Sequence, residues 1–200
     1  MKLFRKKYEN YADEQLMHLL TQGSEVAFDE LYHRYAHKMH SYFHKLLYQD
    51  NELAADFCQN LFLKVFEKAN SYNNSYKFST WLYTIASNMV KNEYRRQQYP
   101  TPTLFIQQSQ TTHIDPQGPK NIDQEIFQKK LQTALNKLED KHRLCFILRY
   151  QEEKTIKEIS EILACPIGTI KSRIHYTMKK IAEDLKLLNP YTNRNERYNQ

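Results

Sequence analysis

Between Gly168 and Lys180 the chain carries Lys171, Arg173, Lys179 and Lys180 and no carboxylate. This is chemistry for gripping phosphate rather than for breaking bonds. Such attraction acts over about one Debye length, ~8–10 Å, so the local excess outweighs the whole-chain balance. Thr169, Lys171, Ser172, Arg173, His175 and Tyr176 stand early in the same segment. In a helix lying in a DNA groove, early side chains reach base edges and later lysines meet the backbone. The alternative is a solvated amphipathic helix in an ordinary bundle.

A second group is Asn88, Lys91, Asn92, Arg95 and Arg96, recurring at helical spacings beside Trp81, Tyr83 and Tyr94. Rings stack on unpaired bases and amides read their edges, so this mixture suits single-stranded nucleic acid. The alternative makes Trp81 core and leaves Arg95 and Arg96 as favourable charges at a helix C-terminus.

Bond-breaking chemistry has little support. His33, His37, His40 and His44 recur at helical spacings, a possible metal ladder. Interior-facing carboxylates to complete a hydrolytic site are not evident, and such a row on an exposed face reads as polar surface. Cys58, Cys145 and Cys165 lie far apart and make no metal-type spacing. The chain has only 3 glycines in 200 residues, where average usage gives about 14. Neither a Gly-rich phosphate loop nor a dinucleotide fingerprint fits that shortage. No catalytic residue, metal or cofactor is expected.

Helices must position both groups. Few glycines, 40% apolar residues and 13% aromatics favour a long-helix fold with a real core. The net charge of +6 permits a nucleic-acid partner without demanding one. The N-terminal segment has no apolar run after its basic residues, and no stretch is long enough to span a bilayer. A soluble, cytoplasmic chain without membrane insertion is expected.

Residues 97–119 hold 4 of the 6 prolines, six glutamines and one charged residue, Asp115. No apolar period survives there, which reads as a flexible linker. The expected plan is all-α: a helical domain over 1–96, a linker over 97–122, a second helical domain over 123–188 and a polar tail over 189–200. In the first domain Asp13 can cap a short helix with Leu16, Leu19 and Leu20 inward, ending at Gly23. Ser24 can cap a second, with Ala27, Phe28, Leu31, Tyr35 and Met39 in period. A third, Glu52 to Lys68, steps by four through Leu53, Phe57, Leu61 and Val65. A fourth starts near Ser79 or Thr80 and runs to Arg96.

In the second domain Ile126, Leu131, Ala134, Leu135 and Leu138 make one helix, and Leu144–Tyr150 a shorter one. Thr155 and Glu158 have capping-box spacing. Their helix ends near Leu163, a turn spans Ala164–Gly168, and a basic helix runs from Thr169 to Leu187 on a stripe of Ile170, Ile174, Met178 and Ile181. That pair has helix-turn-helix form.

At this point the sequence resembles a family. Gly-Ser-Glu-Val-Ala-Phe (23–28), Leu-Tyr-His-Arg-Tyr (31–35), Asp56-Phe-Cys-Gln59-Asn-Leu-Phe62 and Phe78-Ser-Thr-Trp81-Leu-Tyr-Thr-Ile-Ala86-Ser-Asn88 are similar to region 2 of extracytoplasmic-function (ECF) RNA polymerase sigma factors. Leu-Arg-Tyr (148–150), Lys-Glu-Ile-Ser-Glu-Ile-Leu (157–163) and Cys-Pro-Ile-Gly-Thr-Ile-Lys-Ser-Arg-Ile (165–174) are similar to region 4. The order and spacing match as well.

The resemblance implies a role in transcription initiation with core RNA polymerase and promoter DNA as partners, through the β′ clamp helices and the β flap, and an anti-sigma factor. It puts Asp56, Gln59 and Phe62 on the polymerase-docking helix. It puts Trp81, Asn88, Lys91, Arg95 and Arg96 at the −10 element, and Thr169, Lys171, Ser172, Arg173, His175 and Tyr176 at the −35 element. The linker would thread the RNA exit path. The chain departs from the pattern at Asn60 and Asn92, where an acidic residue is usual, and at Tyr176, where many relatives carry arginine. Tyrosine cannot make a bidentate contact to guanine. The rival function is a helix-turn-helix regulator that never joins polymerase, which leaves Asp56–Phe62 and Trp81–Arg96 without a task.

Overall fold

A computed structural model describes residues 8–98 and 122–187 of the chain, without the side chains of 122–126, 128 and 186–187. The described residues form eight α-helices and no strand, as the composition leads one to expect. They are α1 (Asp13–Thr21), α2 (Glu25–Leu46), α3 (Asn51–Glu67), α4 (Phe78–Gln98), α5 (Ile122–Asn136), α6 (Asp140–Phe146), α7 (Ile156–Leu163) and α8 (Ile167–Leu187). The described residues divide into two compact units, one holding 8–98 and the other most of 122–187. Most of the expected linker (97–122), the basic arm at Lys2–Lys7 and the tail from Asn189 lie outside the described residues.

In the first unit α2 packs on α1 and α3, and α4 closes the bundle. Leu31, Met39, Tyr42, Phe43 and Leu46 of α2 are fully buried, with Leu61 and Val65 of α3 and Leu82, Ala86 and Val90 of α4. Each large side chain removed from water stabilises the fold by about 1.5–3 kcal/mol. The inward stripe of α3 differs from the expected step of four. Ala54, Cys58 and Phe62 are buried with Leu61 and Val65, while Leu53 and Phe57 are half-exposed. Ala54 and Cys58 are small, which suits close helix packing. Two buried polar anchors fix the register. The Tyr42 and Ser87 hydroxyls hydrogen-bond at 2.9 Å, and the Tyr94 hydroxyl donates to the Leu46 carbonyl at 2.7 Å.

The helix starts separate local from long-range causes. Ser24 accepts from the Ala27 N–H at 3.3 Å, as its spacing predicts. Asp50 does the same for Leu53 at 3.0 Å. Asp13, however, does not cap α1. Instead the Gln15 side chain accepts from the Ala12 N–H at 2.8 Å. Asp13 is drawn away by the Arg34 guanidinium, 2.8 Å distant, and by the Tyr35 hydroxyl. Met17 takes the buried place expected of Leu19. Likewise α4 starts at Phe78 because Glu14 of α1 accepts from the Phe78 N–H at 2.9 Å.

Arg34 is the hub of that corner. It also donates to nearly buried Glu30 at 2.8 Å and to the carbonyls of Tyr8, Glu9 and Tyr11. Burial opposes its charge, but the carboxylates of Glu30 and Asp13 outweigh that and leave its pKa above the ordinary value. Arg34→Ala would strand the Glu30 carboxylate. A buried pair broken on one side costs about 3–5 kcal/mol, and partial exposure of Arg34 reduces this to about 2–3 kcal/mol. Denaturant unfolding should show that loss; a change under about 0.5 kcal/mol would remove Arg34 from its place as hub.

In the second unit α5 and α6 pack on α8. Ala134, Leu135, Leu144, Cys145, Ile147, Leu148, Ile170 and Ile181 are buried. Leu131 and Leu138 are half-exposed, and the Ile126 side chain is outside the described set. The expected helix Leu144–Tyr150 is instead α6 ending at Phe146, followed by one π turn, Ile147–Gln151. The capping box is present: Thr155 accepts from the Glu158 N–H at 3.2 Å, and Glu158 accepts from the Thr155 N–H at 2.9 Å. α8 starts two residues before Thr169, so Gly168 falls in its first turn rather than in the connecting turn.

That connecting turn places Ala164 at φ 50°. The left-handed conformation is costly for any side chain with a Cβ and easy for glycine. Ala164→Gly should therefore raise stability by about 0.5–1 kcal/mol, measured by thermal unfolding. A lowered melting temperature would mean that the turn is not strained.

Candidate nucleic-acid interface

On α4, Trp81, Asn88, Asn92 and Arg95 fall along one strip, with Lys91 and Arg96 on its two flanks, given 100° per residue. From Trp81 to Arg95 this strip is about 21 Å long. Asn88, Asn92 and Arg95 are exposed, and Lys91 is half-exposed. The Lys91 ammonium lies 3.5 Å from the side-chain amide oxygen of Asn88, and Arg95 donates to the side-chain amide oxygen of Asn92. Arg96 is held differently. It donates to buried Glu93 at 2.9 Å, and Gln97 donates to the same carboxylate at 3.1 Å. Trp81 is half-buried, 5.2 Å from the Tyr72 ring and 6.1 Å from the Phe78 ring. It is thus neither full core nor free. Tyr72 comes from the polar turn before α4, where no period announces it. Its hydroxyl is pushed up to about 12 by burial and then by Glu14 and Asp13, so it stays protonated.

On α8 the buried stripe is Ile170, half-buried Ile174, Thr177 and Ile181. Met178, expected inside, is 42% exposed, and Thr177 is fully buried in its stead. The hydroxyl of Thr177 can go inside because it donates to the Arg173 carbonyl at 2.7 Å. Lys171, Ser172, His175, Tyr176 and Lys179 are exposed on the opposite side, with Thr169 half-exposed beside them. Arg173 lies at the edge of the stripe, half-exposed, with its guanidinium 3.5 Å from the Cys165 sulfur. Tyr176 packs against His142 of α6, ring centres 4.7 Å apart.

On α3, Asp56, Gln59 and Asn60 are exposed, and so are Leu63 and Phe66. Phe62 is not. Only 2% of it is exposed, and its ring meets Tyr32 at 4.7 Å and Phe28 at 6.3 Å. It therefore cannot meet a partner directly unless the unit opens.

His33 and His37 are exposed, and the His40 and His44 rings stack 6.4 Å apart. Among the described residues no group of three or more His, Cys, Asp or Glu side chains converges on a point.

Residues 31–99 match sigma-70 region 2, and residues 128–181 match sigma-70 region 4. Together these cover more than half of the chain. The ECF RNA polymerase sigma factor SigW of Bacillus subtilis is 29% identical over 174 residues, spanning 82% of this chain and 92% of the relative. The ECF sigma-E factor of Escherichia coli is 29% identical over 175 residues, 83% of this chain and 90% of the relative. The chain is an ECF-type sigma factor of the sigma-70 family.

Solved structures agree at the level of fold. CnrH, solved with the cytosolic domain of CnrY, superposes with a TM-score of 0.66 at 16% identity, over 88% of this chain and 97% of that one. RpoE of Bartonella quintana, solved with the anti-sigma factor NepR, gives 0.65 at 24% identity, over 80% and 96%. In this sigma factor the departures Asn60, Asn92 and Tyr176 are all on the surface. Each changes what is displayed rather than how the bundle packs. Sequence reasoning missed Tyr72 and His142 as neighbours of the two displayed faces, because each is joined to its face only through tertiary contact.

Proposed function

We propose that this sigma factor brings core RNA polymerase to promoters, reads the −35 element as duplex through α8 and opens the −10 element on α4. One observation carries the reading. A single chain displays an amide, cation and aromatic strip on α4 and a separate cationic face on α8. The first suits unstacked bases and the second suits duplex phosphate and base edges. On α3, Asp56 and Gln59 would meet the β′ clamp helices, with exposed Leu63 and Phe66 adding apolar area. Phe62 supports that surface from beneath. Region 4 would rest on the β flap, and residues 97–122 would join the two domains.

No catalytic group is needed for this task. Opening costs a few kcal/mol per base in lost stacking, and bases captured on the protein offset it. At the −10 element Asn88 is the base contact, Trp81 the stacking wall, and Lys91 and Arg95 the phosphate contacts. At the −35 element Thr169, Ser172, His175 and Tyr176 face bases, and Lys171 and Lys179 face phosphates. Arg173 contributes from the edge. The anti-sigma proteins named in the solved complexes support such a partner for this chain. No helix among the described residues is long and apolar enough to cross a membrane. That accords with action on polymerase in the cytoplasm.

Arg95 and Arg96 should differ. Arg96 is already engaged by Glu93, so Arg95→Ala should lower the salt slope of promoter binding by about 0.7, one phosphate contact. Arg96→Ala should leave the slope nearly unchanged. Equal slopes for the two variants would contradict the assignment.

The reading is tested against its rival by co-purification with core polymerase from the same source. A one-to-one complex is expected. Promoter DNA bound without polymerase, and no complex with it, would favour the plain helix-turn-helix regulator.

A further inference from the structure

Tyr176 is the residue of the α8 face whose chemistry differs most from its neighbours, and it does not stand alone. The residue is 44% exposed, and its ring lies against that of His142 at 4.7 Å and an interplanar angle of 35°. His142 belongs to α6, which packs on α8 within the same unit. Its Nδ1 is buried and meets no hydrogen-bond partner among the described residues. Burial pushes the His142 imidazole below its ordinary range; Glu139 opposes this, and Lys141 and Arg173 add to it. The imidazole is thus packed against the tyrosine ring.

Two consequences follow from elementary chemistry. A ring backed by another ring has few rotamers left, so its outward face is offered at a fixed place. Ordering a free side chain costs affinity, and a side chain already ordered avoids that cost. The outward face of a tyrosine ring is apolar. In the major groove the apolar feature is the thymine 5-methyl group, and a tyrosine has no bidentate pairing with guanine.

Resting on the reading of α8 as the duplex-reading helix, we propose that Tyr176 is a specificity-determining residue that packs on a thymine methyl in the −35 duplex, and that His142 is its positioning residue. His142 itself touches no base. It acts by holding the tyrosine.

The test uses holoenzyme reconstituted from the full chain and core polymerase. Once transcription starts have located a promoter, each thymine of its upstream duplex element is replaced in turn by deoxyuridine, which removes only the methyl. At one position the wild-type holoenzyme should lose about 4-fold in binding, the scale of one buried methyl group. Tyr176→Ala and His142→Ala should each abolish that sensitivity, and the double variant should lose no more than either alone. His142→Phe keeps a ring and should restore it. Circular dichroism melting of each variant separates misfolding from lost recognition, and the His142→Phe variant keeps the idea testable if His142→Ala is unstable. If no thymine is methyl-sensitive, or if sensitivity survives in Tyr176→Ala, the proposal is overturned while duplex reading by α8 stands. If sensitivity survives in a folded His142→Ala, the positioning role is overturned. If no upstream duplex element affects binding, the reading of α8 itself falls and this proposal with it.

Discussion

Asn88→Ala should reduce open-complex formation by about 5- to 150-fold, the range of one lost base contact at roughly 1–3 kcal/mol. Its binding to core polymerase should stay within about twofold of the wild type. The reason is positional. Asn88 is exposed, lies in the middle of the α4 strip and supports no part of the bundle. Its amide offers both a donor and an acceptor to a base edge, while the buried face of α4 is carried by Leu82, Ala86, Ser87 and Val90. Permanganate footprinting of the melted region reads the first quantity, and a pull-down on core polymerase reads the second. Equal loss in both would make Asn88 a structural residue.

Phe62→Ala should cost about 3–5 kcal/mol of stability, because a fully packed ring is replaced by a cavity between Phe28, Tyr32 and the rest of α3. For a unit of this size the melting temperature should fall by more than about 10 °C. Polymerase binding would fall with it. Gln59→Ala on the exposed side of the same helix should change stability by less than about 0.5 kcal/mol and still weaken polymerase binding severalfold. The two variants separate supporting the docking surface from forming it. A Phe62→Ala protein that melts normally but fails to bind polymerase would put Phe62 back in direct contact.

Much of the fold is legible in the sequence wherever the cause is local. Ser24 and the pair Thr155 and Glu158 cap the helices their spacing predicts, since each bond closes within three residues. The helix-turn-helix pair is legible for the same reason. Where the cause is distant, periodicity fails. Asp13 looks like a cap but is taken by Arg34, and the start of α4 is set by Glu14 on another helix. Hydropathy ranks Met178 above Thr177 for the core, yet the hydroxyl of Thr177 finds its acceptor one turn back and fits inside. Phe62 shows the limit for sites. A motif places a residue on a helix, but which way its side chain points depends on neighbours such as Tyr32 that only the packed bundle reveals.

The central claim is tested most directly by run-off transcription. Core polymerase from the same source is mixed with sheared genomic DNA, with and without this protein, and the RNA 5′ ends are sequenced. Discrete new starts that share two upstream motifs, at the −10 and −35 distances, are the expected result. No new starts and no binding to polymerase would contradict the account.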